Sequence, residues 1–208
     1  MADVSEFLLL GVVLGLVQGI SPGPLVTLVI SETLKFGKRE GFKVAVSPSI
    51  SDSTVAVLAL VVLSNLAQNA LIIGVISLLG AGYLIYLAWD NLKVKTSILE
   101  AGSAKKGALK RALVTNFLNP HVYVFWFSVG GPIILRSLAV HVSATVLYLV
   151  GFFVLLIGSM VSITYVVHKS KAFIASRYYV YFVRALGIVL ILFALVLVSE
   201  GLTLLASI

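Results

Sequence analysis

Six long apolar runs, separated by clusters of lysine and arginine, dominate this chain of 208 residues. They lie at about residues 6–31, 44–64, 70–89, 112–135, 142–167 and 180–205. A helix needs roughly 20 apolar residues to cross the hydrocarbon core of a bilayer. The runs are apolar on all sides, which suits helices facing lipid better than the one-sided helices of a soluble core. Barrel strands would instead show short alternating stretches, and the sequence has none. Hydrophobic residues make up 60% of the chain and charged residues 11%, against about 45–50% and about 25% in a soluble domain. That balance excludes a soluble globule, and so much apolar surface excludes a disordered chain. The expected fold is all-α: a polytopic membrane protein with six transmembrane helices, forming one domain over 1–208. The opening carries Asp3 and Glu6 and its apolar run continues to about Ile30. It does not read as a cleavable signal peptide, which opens on basic residues and has a shorter apolar stretch.

The charges sort the loops. Lys35, Lys38, Arg39 and Lys43 follow the first run, and Lys93, Lys95, Lys105, Lys106, Lys110 and Arg111 follow the third. Lys169, Lys171, Arg177 and Arg184 follow the fifth, leaving only Arg136 on the other side. Basic loops stay in the cytoplasm, so the chain is expected in the cytoplasmic membrane with both termini outside. The net charge of +7 is then a topology signal, and no nucleic-acid partner is expected. The chain has no cysteine, which removes disulfides and thiolate chemistry. No His, Asp and Glu cluster has metal-ligand spacing, so no metal and no cofactor is expected.

The tract at about 93–109 is the one real linker and divides the chain into halves of three runs, about 1–92 and 110–208. The halves look related. Run three reads Leu79-Gly80-Ala81 and run six Leu186-Gly187-Ile188. At an offset of 98, Gln18 meets Asn116, Ser21 meets Asn119 and Pro22 meets Pro120. Three runs per half turn the second copy over in the membrane, which is the inverted 3+3 repeat of many secondary transporters. Chance similarity among leucine-rich helices is the competing reading; the matched polar positions favour the repeat.

Run one contains Gln18-Gly19-Ile20-Ser21-Pro22-Gly23-Pro24. Two prolines remove two backbone donors and displace their neighbours from helical geometry. Gly23 between them favours a broken helix over a simple kink. Ahead of it, Gly11, Gly15 and Gly19 make a smooth face for close packing. Run four contains Asn116-Phe117-Leu118-Asn119-Pro120-His121, and Asn119 before a proline predicts a second break. Broken helices offer half-helix ends and unpaired backbone groups that can hold charged parts of a ligand. Gln18, Ser21, Pro22, Gly23, Asn116, Asn119 and Pro120 are therefore the candidate substrate-binding residues. Helix-to-helix hydrogen bonding is the alternative role for the two asparagines.

Asp52 is the one acid well inside an apolar run. A charge there costs at least about 2.5–3.5 kcal/mol unless it is protonated, paired or facing water. Capping the helix after Pro48 would also account for it. Asp52, with Ser49 and Ser53 nearby, is the candidate ion-coupling group. His121 reads more simply as structural. Tyr83, Tyr86, Trp89 and the Tyr178-Tyr179-Tyr181 cluster read as interfacial anchors. Ser159 and Ser162 in run five offer hydroxyls to a cavity or to helix packing. Gly19-Ile20-Ser21-Pro22-Gly23 matches G-x-S-x-G, but that motif needs a strand-to-helix turn beside a histidine and an acid. An enzyme is not expected.

These elements together resemble the lysine-exporter (LysE) family of amino-acid efflux proteins. The resemblance rests on Gly15-Leu16 with Ser21-Pro22-Gly23-Pro24, on Gly37-Lys38-Arg39-Glu40-Gly41-Phe42, and on Asp52. Leu79-Gly80-Ala81-Gly82-Tyr83-Leu84-Ile85-Tyr86-Leu87-Ala88-Trp89 and Asn116-Phe117-Leu118-Asn119-Pro120 extend it over nearly the whole chain. Two positions depart from the family pattern: Ser47-Pro48 where it has a small glycine, and His121 where it has lysine. The resemblance implies a secondary transporter exporting amino acids or related small metabolites, with H+ or Na+ as coupling ion. A cation or metal-ion exporter on a related six-helix scaffold is the alternative. So small a carrier is compatible with a homodimer.

Overall fold

Hydrocarbon offers no partners to backbone N–H and C=O groups, so a chain this apolar must pair them within its own helices. The computed structural model describes residues 4–65, 70–93, 107–169 and 177–206, and among them there are helices and no strand. The first run forms α1 (Val4–Ile20) and α2 (Pro24–Phe36), which meet at 56° across the Ser21–Gly23 break. The second forms α3 (Lys38–Ala45) and α4 (Pro48–Ser64), and the third forms α5 (Ala70–Leu92). The fourth is divided into α6 (Ala108–Phe117), α7 (Pro120–Phe125), a π-helical turn (Trp126–Gly130) and α8 (Gly131–Val140). The last two runs form α9 (Val142–Lys169) and α10 (Arg177–Ala206).

Length and apolarity suffice for crossing a membrane in Lys38–Ser64, His121–Val140, Val142–Lys169 and Gly187–Ala206, and in α1 with α2 taken as one bent span. Helix α5 carries a shorter apolar stretch, Gly74–Tyr86. Val57, Leu79, Val154 and Leu195 stay well exposed on the outside of the bundle, as lipid-facing side chains do. This is a polytopic all-α membrane protein. Most of the linker expected at about 93–109 lies outside the described residues.

The second run starts earlier than its hydropathy suggests. Residues Lys38–Ala45 read as a basic loop, yet α3 is helical there, burying Gly41, Val44 and Ala45 and leaving Lys38 and Arg39 exposed. Lys43 reaches Glu40 at 2.5 Å on its polar side. A one-sided helix at a bundle end hides its charges from a hydropathy scan. The π-helical turn was also not foreseen; Gly130-Gly131-Pro132 follows its start, and proline's missing donor loosens the ladder there.

Helix α1 lies along α9, and α5 along α10. The first pair is set by glycine. A Cβ on Gly15 would sit 2.2 Å from the carbonyl oxygen of Phe152, and one on Gly11 the same distance from that of Tyr148. No rotamer change relieves a clash with backbone. Gly158, on α9, has nothing within 4 Å of such a Cβ. Gly15→Ala is therefore expected to cost about 1–3 kcal/mol and lower the melting temperature in detergent by several degrees, whereas Gly158→Ala leaves it unchanged. Equal melting curves for the two variants would contradict the α1–α9 contact.

Candidate functional site

Both predicted breaks form, and each ends in a proline at the start of the next half-helix. Gly23, extended at φ −147° and ψ −180°, precedes Pro24 at the first turn of α2. No side chain caps α2, so its first-turn N–H groups lack the capping acceptor that a Ser or Asp would supply. Asn119, at φ −84° and ψ 111°, precedes α7, and its Oδ1 accepts from the His121 N–H at 3.1 Å. Proline at the next position explains both extended residues, because it disfavours helical geometry before it.

A cavity of about 240 Å³ lies between these breaks. Gln18, Ser21, Pro22 and Gly23 line it from the first break, and Asn116 and Asn119 from the second. Asp52 lines it from α4. Pro120 opens α7 at the same place; its side chain lies outside the described residues. Ser49 and Ser53 are not brought in. Ser49 is exposed and donates to the carbonyl of Val46, and Ser53 is absent from the lining. The hydroxyl beside Asp52 is that of Ser51.

Asp52 is 9% exposed. Its Oδ1 accepts from Asn116 Nδ2 at 2.5 Å and its Oδ2 from Trp126 Nε1 at 3.4 Å. Asn116 Nδ2 also donates to Ser51 Oγ at 2.7 Å. The π-helical turn begins at Trp126 and so carries the indole to the carboxyl group. Trp126 is fully buried, edge-on to Phe125 at 5.2 Å and Phe152 at 5.1 Å. The capping role weighed for Asp52 is not seen: Ser47 precedes α4 and no side chain caps it.

Other residues line the cavity besides those expected to bind substrate. Tyr83, buried, and Tyr86, half-exposed, both line the cavity, whereas Trp89 is exposed with Lys93 Nζ 4.3 Å over its ring. Tyr178 and Tyr181 are exposed; the side chain of Tyr179 lies outside the described residues. Asn91 lines the cavity and donates to Ser21 Oγ at 2.9 Å. Its place near the end of an apolar run hides it among loop residues. His121 lines the cavity as well. Ser21, His121 and Asp52 thus share one chamber but form no relay: Ser21 takes Asn91, Asp52 takes Asn116 and Trp126, and His121 stacks on Tyr86. In α9, Ser159 and Ser162 donate to their own helix, at Leu155 and Gly158.

A second buried acid was missed. Glu32 on α2 is fully buried, and Arg111 of α6 meets it with Nε at 3.2 Å from Oε1 and a terminal nitrogen at 2.6 Å from Oε2. Two-point pairing with a planar guanidinium is what makes a buried carboxylate tolerable. It also ties the half-helix after the first break to the half-helix before the second. Among the described residues no group of three His, Asp or Glu side chains stands together.

Two interrupted helices of this polytopic membrane protein thus border one internal chamber. The family model described as LysE type translocator matches residues 16–201. The chain belongs to that family, whose members are efflux transporters of amino acids or related compounds. No curated protein and no solved structure matches the chain.

Breaking the buried ion pair from one side leaves a charge without compensation. Arg111→Met is expected to destabilise the protein by about 3–5 kcal/mol, and Glu32→Gln added to it to restore most of the loss. Thermal unfolding of both variants in detergent checks this; a double variant no more stable than Arg111→Met would contradict it.

Proposed function

We propose that this protein exports an amino acid or closely related metabolite across the cytoplasmic membrane in exchange for protons. The observation that carries the reading is Asp52: a buried carboxyl group on a chamber bounded by both helix breaks. One carboxylate holds either a proton or the ammonium group of a substrate, and mutual exclusion at one site is what makes a carrier exchange instead of leak. Gln18, Ser21 and Asn116 supply neutral hydrogen bonds, with Asn119 already engaged in capping α7. The uncapped start of α2 at Pro22-Gly23 suits the substrate carboxylate, since a helix N-terminus favours negative charge. The break at Pro120 lies on the same chamber and completes the opposite side.

Protons are favoured over sodium because two N–H donors, from Asn116 and Trp126, occupy both oxygens of Asp52. Sodium asks for several oxygens, and beside the carboxyl group only the Ser51 hydroxyl and the Asn116 amide oxygen are near. The same shortage of oxygens weighs against a metal-ion exporter, for which one carboxylate is meagre. The matched prolines of the two breaks and the offset pairing of Gln18 with Asn116 support an inverted repeat. Rocking of its halves would open the chamber to each side in turn. The basic loops then face the cytoplasm and both termini the exterior, and two copies assemble as a dimer.

Asp52→Asn, purified and reconstituted in proteoliposomes, is expected to fold normally and to lose efflux driven by a pH gradient. Efflux of labelled amino acids at the wild-type rate would remove Asp52 from the coupling role.

A further inference from the structure

Three rings converge on one side of the chamber. His121 and Tyr86 stack with centroids 5.5 Å apart and planes 16° from parallel. Tyr83 joins them, 5.9 Å from His121 and 6.5 Å from Tyr86. The histidine is clamped through its backbone. Its N–H donates to Asn119 Oδ1 at 3.1 Å, and its carbonyl accepts from Tyr83 Oη–H at 3.2 Å. Two contacts on the backbone fix where the ring stands, and the tyrosines fix its plane. The shelf therefore joins α5 to the start of α7, at the edge of the second break.

The rest of the lining sets the charge balance. Among the described side chains of that lining, Asp52 is the one acid, and there is neither lysine nor arginine. Val122, Phe125, Leu156 and Met160 supply apolar wall, and methionine adapts to irregular shapes. A zwitterion placed as above uses Asp52 and the start of α2 for its two charged groups. A further charge on its side chain would give up bulk water for an enclosed site where the described residues leave no formal counter-charge, which is penalised. Stacked rings offer flat apolar faces instead.

We infer that the Tyr83–Tyr86–His121 shelf is the side-chain pocket of this carrier, that it selects amino acids with uncharged apolar or aromatic side chains, and that His121 is its specificity-determining residue. The inference rests on the reading of the chamber as an amino-acid site.

The test uses the full chain in proteoliposomes loaded in turn with labelled leucine, phenylalanine, lysine and glutamate. Wild type is expected to move leucine or phenylalanine at least tenfold faster than lysine or glutamate. His121→Ala should raise KM for the preferred substrate at least fivefold with kcat within about twofold, because the shelf binds side chains without carrying the coupling ion. His121→Glu should shift preference toward lysine, whose second ammonium then has a partner. Trp89→Ala, outside the chamber, should match wild type. Lysine or glutamate moved as fast as leucine, or an unaltered substrate profile and KM in both His121 variants, would overturn this inference and leave amino-acid export standing. Movement of none of the four amino acids by wild type would overturn the underlying reading, and this one with it. Circular dichroism of each variant separates misfolding from altered selection; if His121→Ala fails to fold, His121→Glu and Tyr86→Ala carry the same prediction of altered selectivity.

Discussion

A carboxyl group buried among helices imposes the central constraint on this structure. Asp52 cannot stay in hydrocarbon as a bare anion, and its surroundings are arranged accordingly. Asn116 comes from the last turn before the second break and Trp126 from the π-helical turn after it. Both irregularities of the fourth run thus serve one group. A straight helix through residues 108–140 would have to forgo one of these contacts or shift its register. The backbone faults are tolerable because they face an internal chamber and not lipid.

The remaining helices hold the chamber in place. Glycines of α1 bring its backbone against α9, and the aromatic cluster of Trp126, Phe125 and Phe152 fastens the fourth run to the same helix. The ion pair of Glu32 with Arg111 joins the two half-helices at the other end. Helix α5 brings Tyr83, Tyr86 and Asn91 to the chamber while packing mainly on α10. Tyr83 and Leu84 of α5 and Leu190 and Ala194 of α10 nonetheless belong to the same buried core as the other helices.

Much of this was legible because membrane folding leaves strong marks. Long apolar runs, prolines deep within them and a single internal acid each have few physical explanations. The amides Gln18, Asn116 and Asn119 could be placed near one another from the matched spacing of the two breaks. What stayed hidden depends on side-chain direction and on packing between distant segments. Tyr83 and Tyr86 sit near a run's end, where aromatic rings ordinarily mark the interface, and only the approach of α7 turns them into a wall. His121 gains meaning from Tyr86, far from it in sequence. Glu32 lies just past the first run and reads as a loop acid until Arg111 is brought to it. Ser49 and Ser53 follow from helical spacing alone; Ser49 turns instead to the carbonyl of Val46, and Asn116 pairs with Ser51.

The absence of cysteine from the sequence gives a direct measurement of the central claim, that both breaks open onto one water-accessible chamber beside Asp52. Single cysteines at Ser21 and at Asn119 can be probed with a membrane-impermeant maleimide in right-side-out and inside-out vesicles. The account predicts that both positions react, that they react from the same side in any one state, and that a transported substrate protects both together. Two positions sealed from reagent on either side, or protected independently of one another, would contradict it.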